Sequence, residues 1–251
     1  MKNSYIDFHC HILPGMDFDG TNRLIEAVDM CKVLKSQGVA TVCATPHFYP
    51  WNDDVDAFLK RRSETLAVLN SKVSDIEIIP GAEVQIFKSL PEYPIDKLCI
   101  GNSNVVMFEL PSVQFDKWMI EVIENVVYMH SIIPVIAHIE RYGFPKEILQ
   151  KFSHIPGVIF QITVPELKYK KAIKNLDIVS SCGVPVVFGS DAHDMTSRPP
   201  QFNVIREKLG EQEGFFSKNI KTTKAIIENA LFAQPLLEKL IRTPRGIEVK
   251  K

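Results

Sequence analysis

The chain has 251 residues, 45% of them hydrophobic, and 29 basic side chains against 30 acidic ones leave a formal net charge of −1. That length and composition suit a single α/β domain with a sizeable core. The charge balance offers no general attraction to nucleic acid or to an anionic membrane surface, and no run of roughly 18 apolar residues exists to span one. The first residues, with one Lys and then Asn and Ser before a short apolar run, do not read as a signal peptide. The five cysteines (Cys10, Cys31, Cys43, Cys99 and Cys182) are unclustered and mostly set in apolar segments. That pattern fits reduced thiols of a cytoplasmic protein rather than a disulfide frame.

Strands and helices are expected to alternate from end to end. Tyr5–Phe8 is apolar and leads into His9-Cys10-His11. Thr21 reads as the N-cap of a helix in which Leu24, Val28, Cys31 and Leu34 recur at helical spacing until Gly38 stops it. Val39–Ala44 is a buried strand leading to His47, and Asp53–Leu69 is helical. Ile76–Ile79 leads to Glu83, Val105–Phe108 to Glu109, and Phe115–Met129 is an amphipathic helix. Ile133–Ala137 leads to His138, Val158–Ile162 to a polar loop, and Val184–Phe188 to Asp191, with helices at Lys168–Ser181, Gln201–Leu209 and Thr222–Leu240. No repeat or linker divides residues 1–251, and Thr243–Lys251 reads as a basic tail that frays. About seven strand–helix units imply a parallel sheet with helices outside. A distorted (β/α)7 TIM-like barrel explains the pattern better than an open sheet, because closure brings the first and last strands together.

Single residues carry little weight here, since a lone His ending a strand is more often a hydrogen-bonded core residue. The set carries more, because five of the seven histidines lie at strand ends. On an extended strand His9 and His11 share a face and Cys10 takes the opposite one. His130, ending a helix, and His154, in a connector, read as structural. His9, His11, His47, Glu83, Glu109, His138, Asp191 and His193 are too many ligands for one ion. Two or three ions bridged by carboxylates would use them all, an arrangement suited to phosphoester hydrolysis.

His9-Cys10-His11, Thr45-Pro46-His47, Gly81-Ala82-Glu83-Val84, Ala137-His138-Ile139-Glu140-Arg141-Tyr142 and Gly189-Ser190-Asp191-Ala192-His193 resemble, in order, the motifs of PHP-domain phosphoesterases. The likeness runs from Tyr5 to about Pro200 and is strongest to the bacterial protein-tyrosine phosphatases of capsule and exopolysaccharide gene clusters. It implies a PHP-type barrel with three divalent metal ions, often Mn²⁺, though the same ligands accept Fe²⁺ or Zn²⁺. It also implies ligand sets of His9, His11, Glu83 and Asp191 for the first ion, and Glu83, Glu109 and His138 for the second. His47, His193 and an aspartate of the Asp17-Phe18-Asp19-Gly20 loop hold the third. Phe18 interrupts the family's Asp-Asp-Gly there; counting back from Gly20 selects Asp19, whereas spacing from His9 admits Asp17. The family's usual Pro between His138 and Glu140 is Ile139.

Arg141 and Arg198 match the family's phosphate-binding arginines, and Glu140 is placed to orient Arg141. The implied reaction is hydrolysis of phosphotyrosine by a metal-bridging hydroxide, with both arginines on the phosphoryl oxygens and a metal-bound water or His47 as the candidate general acid. No Cys-x5-Arg loop supports a thiol mechanism. Phe18, Phe48, Tyr49 and Trp51 are placed to frame the phenyl ring or, equally, to anchor their own loops. The implied partner is the phosphotyrosine tail of a bacterial tyrosine kinase that controls polysaccharide synthesis. The competing readings are a small-molecule phosphatase such as histidinol-phosphate phosphatase, and a non-catalytic regulatory docking domain.

Overall fold

A computed structural model describes residues 5–209, 223–228, 239–243 and 246–250. Among these residues nine parallel strands form two sheets, apart from a two-stranded antiparallel pair near the C-terminus. One consists of β1 (Tyr5–Cys10), β2 (Val39–Ala44) and β4 (Glu77–Pro80). The other runs β3 (His47–Phe48), β5 (Glu83–Gln85), β6 (Val105–Glu109), β7 (Ile133–Ile136), β8 (Ile159–Thr163) and β9 (Val186–Gly189). Helices α1 (Leu24–Ser36), α2 (Val55–Asn70), α3 (Trp118–His130), α4 (Lys146–Phe152), α5 (Lys170–Ser181) and α6 (Val204–Leu209) lie between strands or follow the last of them.

The two sheets are halves of one distorted barrel. β2 continues into β3 across Thr45-Pro46, and β4 into β5 across Gly81-Ala82, so the nine strands count as seven. Pro46 has no N–H to keep the ladder regular. Gly81 sits where a Cβ would stand 2.9 Å from the Ile100 side chain and 3.2 Å from that of Thr45. Across this kink Gly81 N–H still donates to Ala44 O at 2.7 Å, and Glu83 N–H to Pro46 O at 3.0 Å. The ring closes between last and first strands, where Asp191 N–H donates to His9 O (2.7 Å) and His11 N–H to Ala192 O (2.8 Å). The expected distorted (β/α)7 barrel is the fold observed.

Two apolar clusters hold it together. Phe8, Cys43, Val105, Met107, Val135, Ala137, Ile159 and Val187 fill the interior, and Ile226 joins them from a short helix at residues 223–227. The larger cluster lies between strands and helices; Cys10, Val42, Phe108, Ile136 and Phe160 meet α1 residues Ala27, Met30 and Leu34 and α3 residues Met119, Ile123 and Val126 there. β1 serves both the interior and the site because its register against β2 slips between Asp7 and Cys10. Phe8 and His9 both stand opposite Cys43, a bulge of the kind that re-aims side chains at barrel rims. Phe8 remains in the interior cluster while the His9 ring turns to the mouth.

Several local expectations change. Arg23, not Thr21, occupies the N-cap of α1; the Thr21 hydroxyl instead accepts from Arg23 N–H at 3.3 Å and donates to Glu26 Oε2 at 2.7 Å. The helix expected at Lys168–Ser181 begins at Lys170, because Val164–Lys168 turns as a 3₁₀ segment with Pro165 in its first turn. Of the helix expected over Thr222–Leu240, residues 223–227 are helical, Lys239 and Leu240 lie in a strand, and residues 229–238 fall outside the described residues. Of the tail expected to fray, Thr243 ends β10 (Lys239–Thr243) and Gly246–Lys250 form β11, which pairs antiparallel with β10, while residues 244, 245 and 251 fall outside the described residues. No helix among the described residues is long and apolar enough to cross a membrane.

Candidate metal centre

All eight strand-end ligand candidates converge at the C-terminal mouth of the barrel, where barrel sites are built. Glu83, at the start of β5, is the hub. It is 1% exposed, and its Oε2 lies 3.1 Å from His9 Nε2, 3.2 Å from His11 Nε2 and 3.2 Å from His47 Nδ1. Its Oε1 lies 3.0 Å from His138 Nε2. Glu109 extends the cluster, with Oε1 3.6 Å from His138 Nε2 and Oε2 4.0 Å from His47 Nδ1. On the other flank Asp191 Oδ1 stands 3.5 Å from both His9 Nε2 and His11 Nε2.

The outward nitrogens of three rings are taken by the protein. His9 Nδ1–H donates to Gln161 Oε1 (3.1 Å), His11 Nδ1–H to Asp17 Oδ2 (3.2 Å), and His193 Nδ1–H to the Asp191 carbonyl (3.0 Å). A neutral ring with its proton on Nδ1 presents a lone pair at Nε2. Those of His9 and His11 therefore face the lone pairs of a Glu83 oxygen that is itself buried without a hydrogen bond. Lone pairs facing one another at this distance require positive charge between them, and a divalent cation supplies it. His9–His11–Glu83, His47–Glu83–Glu109 and His11–His47–His193 each bring three donor atoms within 4.8 Å of one another. The donor chemistry of nitrogen and carboxylate oxygen fits first-row divalent metals.

The field of the cluster is mutual. Burial opposes ionisation of Glu83, yet where protons rather than an ion supply that positive charge the His9, His11 and His138 imidazoles hold its carboxyl well below the usual range. Burial of His9 and His11 is in turn outweighed by the carboxylates around them, which raise both rings. Asp191 behaves alike, with His9, His11 and Arg141 outweighing burial. Glu109 lacks enough such partners, and burial followed by repulsion from Glu83 pushes it up to about 7. His193 is driven down to about 2 by burial and the neighbouring His11. Two ligand candidates also hold strained backbone: His138 at φ 32° and Asp191 at φ 53° occupy the left-handed region that non-glycine residues rarely adopt.

The two loop aspartates separate by role. Asp17 is buried and accepts from His11 Nδ1–H and, at 2.7 Å, from the His47 backbone N–H. Asp19 is half-exposed, with Oδ1 3.9 Å from His47 Nε2 and Oδ2 3.4 Å from His193 Nε2. Both arginines reach Asp191: Arg141 Nη1 lies 2.5 Å and Arg198 Nη2 2.7 Å from Oδ2. Arg198 also bonds Asp19 Oδ2 at 3.2 Å. Each arginine side chain is about a third exposed at the mouth (31% and 36%). The expected Glu140–Arg141 pair does not form. Glu140 is buried and accepts from Thr163 N–H, while Glu166 faces Arg141 Nε at 3.8 Å.

The cysteines lie apart from this chemistry. Burial raises every thiol, Cys31 to about 12, Cys99 to about 11, and Cys10 and Cys43 well above the ordinary range. His130 ends α3 and bonds Pro91 O at 3.0 Å, clear of the cluster. Sequence reasoning missed Gln161 and Glu166. Gln161 stood out as the polar residue within Ile159–Ile162, on the same strand face as Ile159 in the barrel interior. Glu166 carries no such signal.

Fold and site together define an α/β barrel with an imidazole–carboxylate centre at its C-terminal mouth. A family model described as capsular polysaccharide synthesis, CpsB/CapC, matches residues 5–230, and the chain belongs to that family. The tyrosine-protein phosphatase YwqE of Bacillus subtilis strain 168 is 27% identical over 203 residues, spanning 77% of this chain and 79% of its own. The tyrosine-protein phosphatase CpsB of Streptococcus pneumoniae is 25% identical over 232 residues, spanning 83% of this chain and 92% of its own. A solved structure from work on YwqE and CpsB, described there as unique metal-dependent tyrosine phosphatases, matches with a TM-score of 0.75 at 22% identity, over 89% of this chain and 94% of that one. The fold extends to a TatD-like protein of Archaeoglobus fulgidus, with a TM-score of 0.54 at 15% identity, over 89% of this chain and all of that one (100%).

Proposed function

We propose that the chain is a metal-dependent protein-tyrosine phosphatase. The observation that carries the reading is the buried Glu83 carboxylate, ringed by four imidazole nitrogens at 3.0–3.2 Å, beside a second carboxylate that two arginines share. Relatives named as tyrosine-protein phosphatases support the substrate. In this reading His9, His11, Glu83 and Asp191 hold one divalent ion, and Glu83, Glu109 and His138 a second. His47, His193 and Asp19 hold a third, with Mn²⁺ the first choice and Fe²⁺ or Zn²⁺ compatible. Such ions acidify water and neutralise charge on phosphoryl oxygens.

The remaining work belongs to the chain. Arg141 and Arg198 carry fixed positive charge to the mouth and offer planar N–H donors to a phosphate monoester dianion. As charge gathers on the transferring group, those donors strengthen, which is where a barrier falls. Tyrosinate, with a parent pKa of about 10, is a tolerable leaving group and needs modest proton donation. His47 is the ring nearest the open side, at the edge of the mouth and 12% exposed, but it is also a ligand in this reading. Burial with the neighbouring His11 holds its pKa below the ordinary imidazole value, so water at the mouth stands beside it as the candidate proton donor. Tyr49 stacks on His47 with centroids 5.3 Å apart, Trp51 lies 5.5 Å beyond, and exposed Phe18 follows Asp17; these frame the phenyl ring, whereas Phe48 is fully buried against Phe58 in the core and does not reach it. The raised thiols and the absence of a Cys-x5-Arg loop leave no thiolate for a covalent route. The natural substrate in this reading is the phosphotyrosine tail of a bacterial tyrosine kinase that governs capsule or exopolysaccharide synthesis, and the chain itself acts in the cytoplasm.

The test is turnover of phosphotyrosine peptide, phosphoserine peptide and histidinol phosphate by Mn²⁺-reconstituted protein, with Arg141→Ala and His138→Ala beside it. Phosphotyrosine hydrolysis that needs the metal and fails in both variants supports the proposal. Activity confined to histidinol phosphate replaces the substrate, and inactivity on all three with any metal sinks the enzyme.

A further inference from the structure

Gln161 is the only fully buried side-chain amide in contact with the centre among the described residues, and none of the ligand assignments uses it. Its Oε1 receives two hydrogen bonds, one from His9 Nδ1–H at 3.1 Å and one from the His138 backbone N–H at 2.6 Å. A backbone N–H can only donate, so the atom facing it is the amide oxygen. The same oxygen can only accept, so the His9 proton sits on Nδ1 and its Nε2 lone pair is aimed at Glu83. His138 is the residue at φ 32°, and its amide hydrogen bond to Gln161 helps hold that conformation. Gly189 makes the close packing on β9 possible, since a Cβ there would stand 2.4 Å from His9 Cβ and 3.0 Å from Gln161 Nε2.

We infer that Gln161 is a positioning residue that, through one oxygen, fixes the tautomer of His9 and the backbone of His138 and so couples two metal positions. The inference rests on the proposed metal centre and adds to it a specific dependence. His9 belongs to the first ligand set and His138 to the second, yet a single acceptor orders both. Removing that acceptor weakens loading at both positions rather than one. Partners of this kind behind ligating histidines typically change metal affinity by about 10–100-fold when lost.

The experiment compares wild type, Gln161→Met, which keeps the shape and loses the acceptor, and Gln161→Glu, which keeps an acceptor oxygen. Each full-length protein is titrated with Co²⁺ against a chromophoric chelator, its visible spectrum is recorded, and its metal-free melting curve is measured. The expected result is Co²⁺ affinity lower by about 10–100-fold in Gln161→Met, an altered spectrum, and recovery in Gln161→Glu. A parallel ¹⁵N-histidine spectrum of the Zn²⁺-loaded proteins should place the His9 proton on Nδ1 in wild type and in Gln161→Glu. That reading decides the matter even if Gln161→Met does not fold. A role in folding alone would lower the melting temperature while leaving Co²⁺ affinity and spectrum as in wild type, and would overturn the inference. So would a His9 proton on Nε2 in wild type. A wild-type protein that binds neither Co²⁺ nor Zn²⁺ would overturn the metal centre and the inference together, whereas unchanged binding by a folded Gln161→Met overturns the inference alone.

Discussion

Two buried carboxylates share the His9 and His11 rings at the mouth of the barrel, and their surroundings differ. Glu83 is met by imidazoles on both oxygens, from His9, His11, His47 and His138. Asp191 meets His9 and His11 on one oxygen and Arg141 and Arg198 on the other. An imidazole can give up its proton and bind a cation, whereas a guanidinium keeps its charge and repels one. The Glu83 side is therefore built to hold positive ions, and the Asp191 side grades into a surface built to hold a negative group. A phosphate ester laid across the mouth touches both.

The largest effect should come from breaking the first side. Glu83→Gln removes the charge that three ligand sets share or adjoin, so metal content measured on purified protein should collapse, with turnover down by about 10³-fold or more. Breaking the second side should separate activity from metal. Arg141→Ala or Arg198→Ala should each cost about 10²-fold in kcat/KM while metal content stays near wild type, and Arg→Lys at either place should rescue little, because a point charge cannot donate in a fork. If both arginine variants lose metal in proportion to activity, the division between the two sides is wrong. The aspartate loop gives a finer cut. Asp19→Ala should lower the number of ions bound, whereas Asp17→Asn should weaken affinity by about 10-fold without changing that number, since Asp17 acts through His11 and the His47 backbone.

How much of this was legible beforehand follows a physical line. Strands announce themselves by apolar runs, and a ligand at a strand end lies at the mouth whichever way the helices pack; His9, Glu83, Glu109, His138 and Asp191 needed only that. The kinked pairs β2–β3 and β4–β5 were hidden, because whether a strand continues past Pro46 or Gly81 depends on neighbours distant in sequence. Counting favours Asp19 over Asp17 only weakly, since the Phe18 insertion shifts register and only the folded loop decides which carboxylate turns inward. Glu140 illustrates the opposite error. Adjacency in sequence suggested a partner for Arg141, but a 3₁₀ turn at Ile139–Tyr142 sends the two side chains to different neighbours.

The smallest expected effect tests how the negative-group side is held in place. Glu26, on α1, accepts from the Thr21 hydroxyl at 2.7 Å and from the Met195 backbone N–H at 3.2 Å, tying the loop that carries Asp19 to the loop that leads to Arg198. Those hydrogen bonds, that from Thr21 foremost, lower the Glu26 pKa below its ordinary value. A carboxyl whose pKa is depressed in the folded state binds fewer protons than in the unfolded chain, so the stability it contributes is present above about pH 4.5 and is lost as pH falls through the folded value. Glu26→Ala should therefore lower unfolding free energy by about 1 kcal/mol at pH 7 in urea titrations. The gap between variant and wild type should narrow at pH 3.5, where the other carboxylates titrate alike in both proteins and cancel. A gap that stays constant across that range would mean that Glu26 holds the loops by shape alone, and the ionic tie between the two sides of the mouth would have to be sought elsewhere.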